Sequence, residues 1–260
     1  MTGVRSVIVA GSRFGQFYAA GVAADPRFAL RGILGRGSRR SRALARHLGV
    51  ACLEGVETVP ADVQIGCVVV GGAARGEDSP ALAEALMERG LDIVIEHPLL
   101  PGEWRALLRA AHDNGRQCVL NSFYPWLPAV ARFIAAGHAL QQTRGIRHVE
   151  ATAAVQSGFA TMDILAGIFD GLEPWSIEPG TDDPSTMRRL GLVVAETPVN
   201  LLILNELGDG DDGRMTLFQR ISLTTDRGVL TLVDPHGPVI WTPATTAPEE
   251  DADGRDDDQH

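Results

Sequence analysis

Three stretches of this 260-residue chain carry residue types that can hold phosphate or move protons. The first is Gly11-Ser12-Arg13-Phe14-Gly15, set between the apolar run Val7–Ala10 and a helical pattern. A glycine at a strand exit lets the chain turn sharply, and the helix beyond it offers free backbone N–H groups to a pyrophosphate. As a G-x-G-x-x-G fingerprint the segment is imperfect, because the second and third glycines fall on Arg13 and Gln16. A tight strand-to-helix turn in any α/β domain reads the same way. The second stretch is Gly35-Arg36-Gly37-Ser38-Arg39-Arg40-Ser41-Arg42. An NAD site would place Asp or Glu there for the ribose 2′-hydroxyl; this chain places four arginines and no acid. Guanidinium forks match phosphate oxygens, so Gly35, Ser38, Arg39 and Arg40 suit the 2′-phosphate of NADP(H), with a solvated helix face as the competing reading. The third is a pair of strand ends, Glu96-His97-Pro98 and Asn121-Ser122-Phe123-Tyr124-Pro125. They put a carboxyl, an imidazole and a phenol where open α/β sheets bind ligands. Glu96 would equally cap a helix or pair with an arginine, and Tyr124 would equally serve as an amphipathic aromatic at a domain junction.

The elements that must position these groups follow from hydrophobic spacing. Strands are expected at Val7–Ala10, Leu30–Leu34, Gln64–Val70, Asp92–Glu96 and Cys118–Asn121, and helices at Gln16–Ala24, Arg39–Leu48, Pro80–Arg89 and Glu103–Asn114. Runs such as Cys67–Val70 are apolar at successive positions, the mark of strands covered on both faces in a doubly wound parallel sheet. Beyond Asn121 the spacing gives helices at Ala129–Ala136 and Thr161–Phe169. Strands follow at Val149–Val155, Leu192–Ala195, Val199–Asn205, Thr216–Thr224, Val229–Val233 and Val239–Trp241. Turns such as Gly208–Gly213 and Asp226–Gly228 join successive strands and imply antiparallel pairing. The expected fold is α/β: a Rossmann-type doubly wound parallel sheet over residues 1–120, then an α+β domain with a mainly antiparallel sheet over 121–243. An acidic tail, 244–260, has nothing to bury and is expected to be disordered.

All 23 basic side chains are arginine, and a chain without lysine has no Schiff-base chemistry and no P-loop lysine. The net charge of −10 is largely the tail's, since Glu249–Asp258 holds seven acids against one arginine, so nucleic acid is not an expected partner. Cys52, Cys67 and Cys118 are widely spaced, with no CxxC and no histidine cluster; they read as reduced thiols in a cytoplasmic protein, with no metal site. No charge-free stretch reaches the ~18 apolar residues of a membrane span, and the N-terminal apolar run is too short for a signal peptide.

Taken together, GSRFGQFY, LGRGSRRSRALA, EHPLLP, NSFYPWLPAVARF and RGVLTLVDPHGPVIW resemble, in order and spacing, the thiazolinyl imine reductases of siderophore and related nonribosomal peptide pathways, a branch of the Gfo/Idh/MocA oxidoreductase superfamily. The resemblance spans Val4 to Trp241; EHP and NSFYP are its specific parts, most of the superfamily having lysine in place of His97. It implies NADPH-dependent reduction of a thiazoline C=N on a substrate tethered to a carrier protein. By that similarity Gly11, Ser12, Arg13, Phe14 and Gly15 lie at the pyrophosphate, Gly35, Ser38, Arg39 and Arg40 near the 2′-phosphate, and Glu96, His97 and Tyr124 around the nicotinamide and substrate. Tyr124 is the expected general acid, with His97 as partner or relay. Family members run on past the segment matching GPVIW, so the C-terminus here is shorter than theirs. Two other functions stay open: a Gfo/Idh/MocA oxidoreductase on another imine or carbonyl, and a non-redox NADP-binding accessory protein. A homodimer through the C-terminal sheet is a further expectation.

Overall fold

The computed structural model describes residues 3–70, 78–178, 187–204 and 218–245, and divides the chain into two units, Met1–Phe123 and Tyr124–His260. In the first unit six strands, β1 (Arg5–Ala10), β2 (Phe28–Leu34), β3 (Ala51–Leu53), β4 (Ile65–Val68), β5 (Asp92–Glu96) and β6 (Cys118–Asn121), form one parallel sheet in the order β3-β2-β1-β4-β5-β6. Helices α1 (Gly15–Ala24), α2 (Arg39–Leu48), α3 (Ser79–Glu88) and α4 (Pro101–Asp113) make the crossovers. Successive apolar residues of a strand face opposite ways, and both sides are covered. Ile8, Val68, Ile93 and Ile95 join a cluster with Leu86 and Leu107, while Val7, Val9, Cys67 and Val69 pack with Ala19 and Ala45. This is the doubly wound sheet that the uninterrupted apolar runs require. Strand order reverses between β1 and β4, the switch point beside which such sheets bind ligands. β3 is absent from the sequence reading because three residues are too few to show a period.

The second unit has a seven-stranded sheet in the order β13-β12-β11-β7-β10-β9-β8, built from β7 (His148–Ala154), β8 (Trp175–Glu178), β9 (Met187–Val194), β10 (Thr197–Leu204), β11 (Gln219–Thr224), β12 (Gly228–Leu232) and β13 (Val239–Pro243). It is mainly antiparallel; the exception is the parallel pair of β10 and β7 at its centre. Two helices, α5 (Pro128–Arg144) and α6 (Gly158–Phe169), bury Phe133, Ile164 and Ile168 against Val149, Ile221 and Leu223. α5 runs on to Arg144, well past Ala136 where the sequence reading ended it, and passes through Gly137. That glycine ends nothing: a Cβ there would lie 2.7 Å from Leu223 Cδ1, so it sets how closely helix and sheet approach. The loop Gly208–Gly213 and the tail from residue 246 on lie outside the described residues. Among the described residues no helix is long and apolar enough to cross a membrane, and no group of His, Cys, Asp and Glu is arranged to hold a metal.

Candidate active site and dinucleotide seat

β1 leaves the middle of the parallel sheet at Gly11, which has φ +98°. A Cβ at that position would stand 2.2 Å from the Val69 carbonyl oxygen, so only glycine allows the chain to turn here. Gly15 opens α1 so close to β1 that its Cβ would meet Val9 Cγ1 at 3.1 Å. The residue before it, Phe14, supplies no capping side chain and its carbonyl accepts the Phe17 N–H at 2.9 Å, so among the described residues the Gly15 and Gln16 N–H groups are left for an external acceptor. Ser12 is half-buried at this turn and Arg13 is exposed, its guanidinium 5.8 Å from the centre of the Phe14 ring. A bare helix end beside a forced glycine turn is a seat that fits a pyrophosphate.

At the exit of β2, the Gly35 N–H donates to the Leu53 carbonyl at 2.8 Å, tying this turn to β3. Ser38 caps α2, its hydroxyl accepting from the Ser41 N–H at 3.1 Å, and Gly49 closes the helix in the left-handed conformation. One residue was hidden from sequence spacing: Glu54, just past β3, reaches this turn, where a Cβ on Gly37 would lie 2.6 Å from its Oε1. An acid does therefore stand near the end of the second strand, contrary to the sequence expectation. Arg42 occupies it, with Nη2 3.1 Å from Glu54 Oε1. Arg39 and Arg40 are exposed and make no ion pair among the described residues.

The chemistry-bearing end lies at β5 and β6. Glu96 closes β5 and pairs in register with Asn121, the last residue of β6. Among the described residues its side chain neither caps a helix nor meets an arginine. The Tyr18 hydroxyl, from the fourth residue of α1, donates to Glu96 Oε2, and the Asn121 side-chain amide donates to the Tyr18 oxygen. Asn121 is fixed in turn: its Oδ1 accepts the Phe123 N–H at 3.2 Å, and its backbone carbonyl accepts the His97 N–H at 3.1 Å. The His97 side chain is only 7% exposed, with Nε2 3.6 Å from Glu96 Oε1. Burial pushes the Glu96 carboxyl from its ordinary 4.5 up to about 7. The same cause raises the Cys67 thiol to about 12 and Cys118 to about 11, so neither is a thiolate at neutral pH.

The structure thus brings together Glu96 and His97 with Tyr18, which the sequence reading did not assign. Its signal was present: Tyr18 is one of two tyrosines, it ends the GSRFGQFY segment, and an α1 that starts at Gly15 turns it toward the sheet. Tyr124 belongs to the second unit. It opens the single turn Tyr124–Trp126, packs half-buried against that unit's core, and its ring centre lies 6.1 Å from that of Phe218.

Residues 4–122 match the family model GFO_IDH_MocA, described as an oxidoreductase family with an NAD-binding Rossmann fold. The first unit is a Gfo/Idh/MocA-type NAD(P)-binding domain. The full chain shares its fold with solved structures of low identity. One, from gentamicin A biosynthesis and in complex with NAD, is 16% identical with TM-score 0.72, over 90% of this chain and 73% of that one. UDP-N-acetylglucosamine 3-dehydrogenase from Acidithiobacillus ferrooxidans is 17% identical with TM-score 0.71, over 96% and 85%. A 3-ketoreductase from Actinomadura kijaniata in complex with NADP is 16% identical with TM-score 0.72, over 93% and 81%. No curated protein matches the sequence. The family match is confined to this NAD-binding domain, and the glycine turn, the α1 terminus and the β2 exit are the parts of it that suit the dinucleotide.

Proposed function

We propose that this protein reduces a thiazoline C=N with NADPH, on a substrate held as a thioester by a carrier protein. The observation that carries the reading is the Glu96-His97 pair at the end of β5 in a chain without lysine: a half-buried carboxyl that keeps its proton up to about pH 7, beside an imidazole. Bound NADPH supplies hydride to the imine carbon, and the nitrogen then needs one proton. An imine nitrogen is basic enough to take that proton from a group titrating near neutrality, so Glu96 and His97 suit it. Tyr124 stays proposed as the general acid and His97 as a relay, roles that the Tyr124→Phe and His97→Asn variants separate. Preference for NADPH is supported by the exposed Arg39 and Arg40 and by the engagement of Glu54 with Arg42. The carrier-protein partner and a homodimer through the C-terminal sheet belong to the same proposal.

A second reading, reduction of a carbonyl, draws on the dehydrogenase and ketoreductase among the structural neighbours. Consumption of NADPH, followed by its absorbance, separates the two. Turnover of a thiazoline thioester with none on keto-sugar nucleotides supports imine reduction, and the reverse pattern overturns it.

A further inference from the structure

Glu96 and Tyr18 stand 78 residues apart in sequence, yet the only oxygen that donates to this carboxyl among the described residues is the Tyr18 hydroxyl. Three elements build the contact: α1 carries the phenol, β5 the carboxyl and β6 the amide that holds the phenol from its other side. A tyrosine hydroxyl has one hydrogen to give. With Asn121 donating to its oxygen, that hydrogen is committed toward Glu96 rather than free to rotate elsewhere. The chain of donors runs one way, from amide to phenol to carboxyl.

We propose that Tyr18 is a positioning residue of the reductase site, acting through Glu96: its donated hydrogen bond fixes the carboxyl beside His97 and sets how readily that carboxyl gives up its proton. The assignment rests on the reading that Glu96 takes part in proton delivery to the reduced nitrogen. Burial alone disfavours the charged carboxylate, whereas a donor hydroxyl favours it. Tyr18 therefore works against the burial and holds the Glu96 titration down, within reach of neutral pH. The described groups that face this carboxyl are the Tyr18 hydroxyl from α1, the Asn121 amide from β6 and the His97 imidazole next in the chain. The Cys67 thiol of β4 also shares this side of the sheet, and burial keeps it protonated. None of the others supplies a fixed opposite charge that would take over the work of the phenol.

The test needs neither substrate nor cofactor. In the full chain with ¹³C-labelled glutamate, the Glu96 carboxyl resonance is assigned by its loss in Glu96→Gln and followed through a pH titration. The wild type is expected to titrate near 7. Tyr18→Phe keeps the ring and the burial but removes the donor, and the midpoint is expected to rise by about one unit, the size of a hydrogen bond to a charged group. Asn121→Leu, which frees the phenol, is expected to raise it by less. A merely structural Tyr18 predicts the opposite: loosened packing would wet the carboxyl and return its midpoint toward 4.5. An unchanged or lowered midpoint in Tyr18→Phe overturns the proposal. Where a thiazoline thioester is turned over, the alkaline limb of kcat/KM should move with the titration. A shifted titration in a protein inactive on that thioester would leave Tyr18's hold on Glu96 standing and remove the imine reading alone.

Discussion

Removing the charge from Glu96 should stabilise the protein, and only above mildly acidic pH. The folded carboxyl titrates near 7 against an ordinary 4.5, so folding holds a proton that the unfolded chain releases first. Below 4.5 both states are protonated and the group adds no pH dependence. Between 4.5 and 7 the folded state binds more protons than the unfolded, so stability falls as pH rises; above 7 the loss is complete. A shift of about 2.5 units corresponds to about 3 kcal/mol at most, because one unit is about 1.4 kcal/mol and the Glu96 side chain keeps some contact with water. Glu96→Gln retains the shape and an acceptor for Tyr18 but never charges. Urea unfolding of wild type and variant should therefore give similar stabilities at pH 5, while the variant should gain about 2–3 kcal/mol at pH 8. A difference of the same size at both pH values would refute the reasoning, since it would mean that this carboxyl titrates in the folded protein as it does in the unfolded one.

Wild type should bind NADPH more tightly than NADH, and replacing Arg39 and Arg40 together with alanine should shrink that preference by more than tenfold in paired Kd measurements, at ~1.5–3 kcal/mol per charge-assisted contact. Arg42→Ala should do less to NADPH affinity, because its guanidinium is already spent on Glu54. Gly11→Ala should lower the melting temperature and abolish measurable dinucleotide binding, since the added carbon meets the Val69 carbonyl at 2.2 Å. Tyr124→Phe should leave the melting temperature nearly unchanged and cut kcat by ~100-fold to ~10,000-fold if the phenol is the general acid; turnover within a few-fold of wild type, with His97→Asn inactive, would assign the role to His97.

The first unit was readable because its signals are local. β5 and β6 end where the apolar runs end, at Glu96 and Asn121, and α2 begins and stops at its own serine and glycine. What could not be read depended on neighbours brought in by folding. Glu54 follows a three-residue strand, and only the β2–β3 pairing carries it to Gly37. Tyr18 gains a partner only when β5 and β6 bring Glu96 and Asn121 to its hydroxyl. Gly137 wears the sign of a helix stop yet sits mid-helix, because the close approach of Leu223 asks for the same missing side chain that a stop does. The raised titration of Glu96 comes from burial, and burial is a property of the sheet, not of the EHP segment.

α1 offers its bare N-terminus to phosphate and, one turn further on, extends Tyr18 to Glu96. The positive end of a helix dipole favours nearby anions, and an ionised Glu96 shares that benefit with whatever anion occupies the terminus. A dinucleotide seated there and a charged Glu96 are then like charges competing for one short helix. Each should make the other costlier, so a proton on Glu96 and the dinucleotide bind with positive cooperativity. Cofactor affinity should accordingly tighten as pH falls through 7, with protons drawn from the buffer as the complex forms. Loading of the dinucleotide would in that way arm the acid.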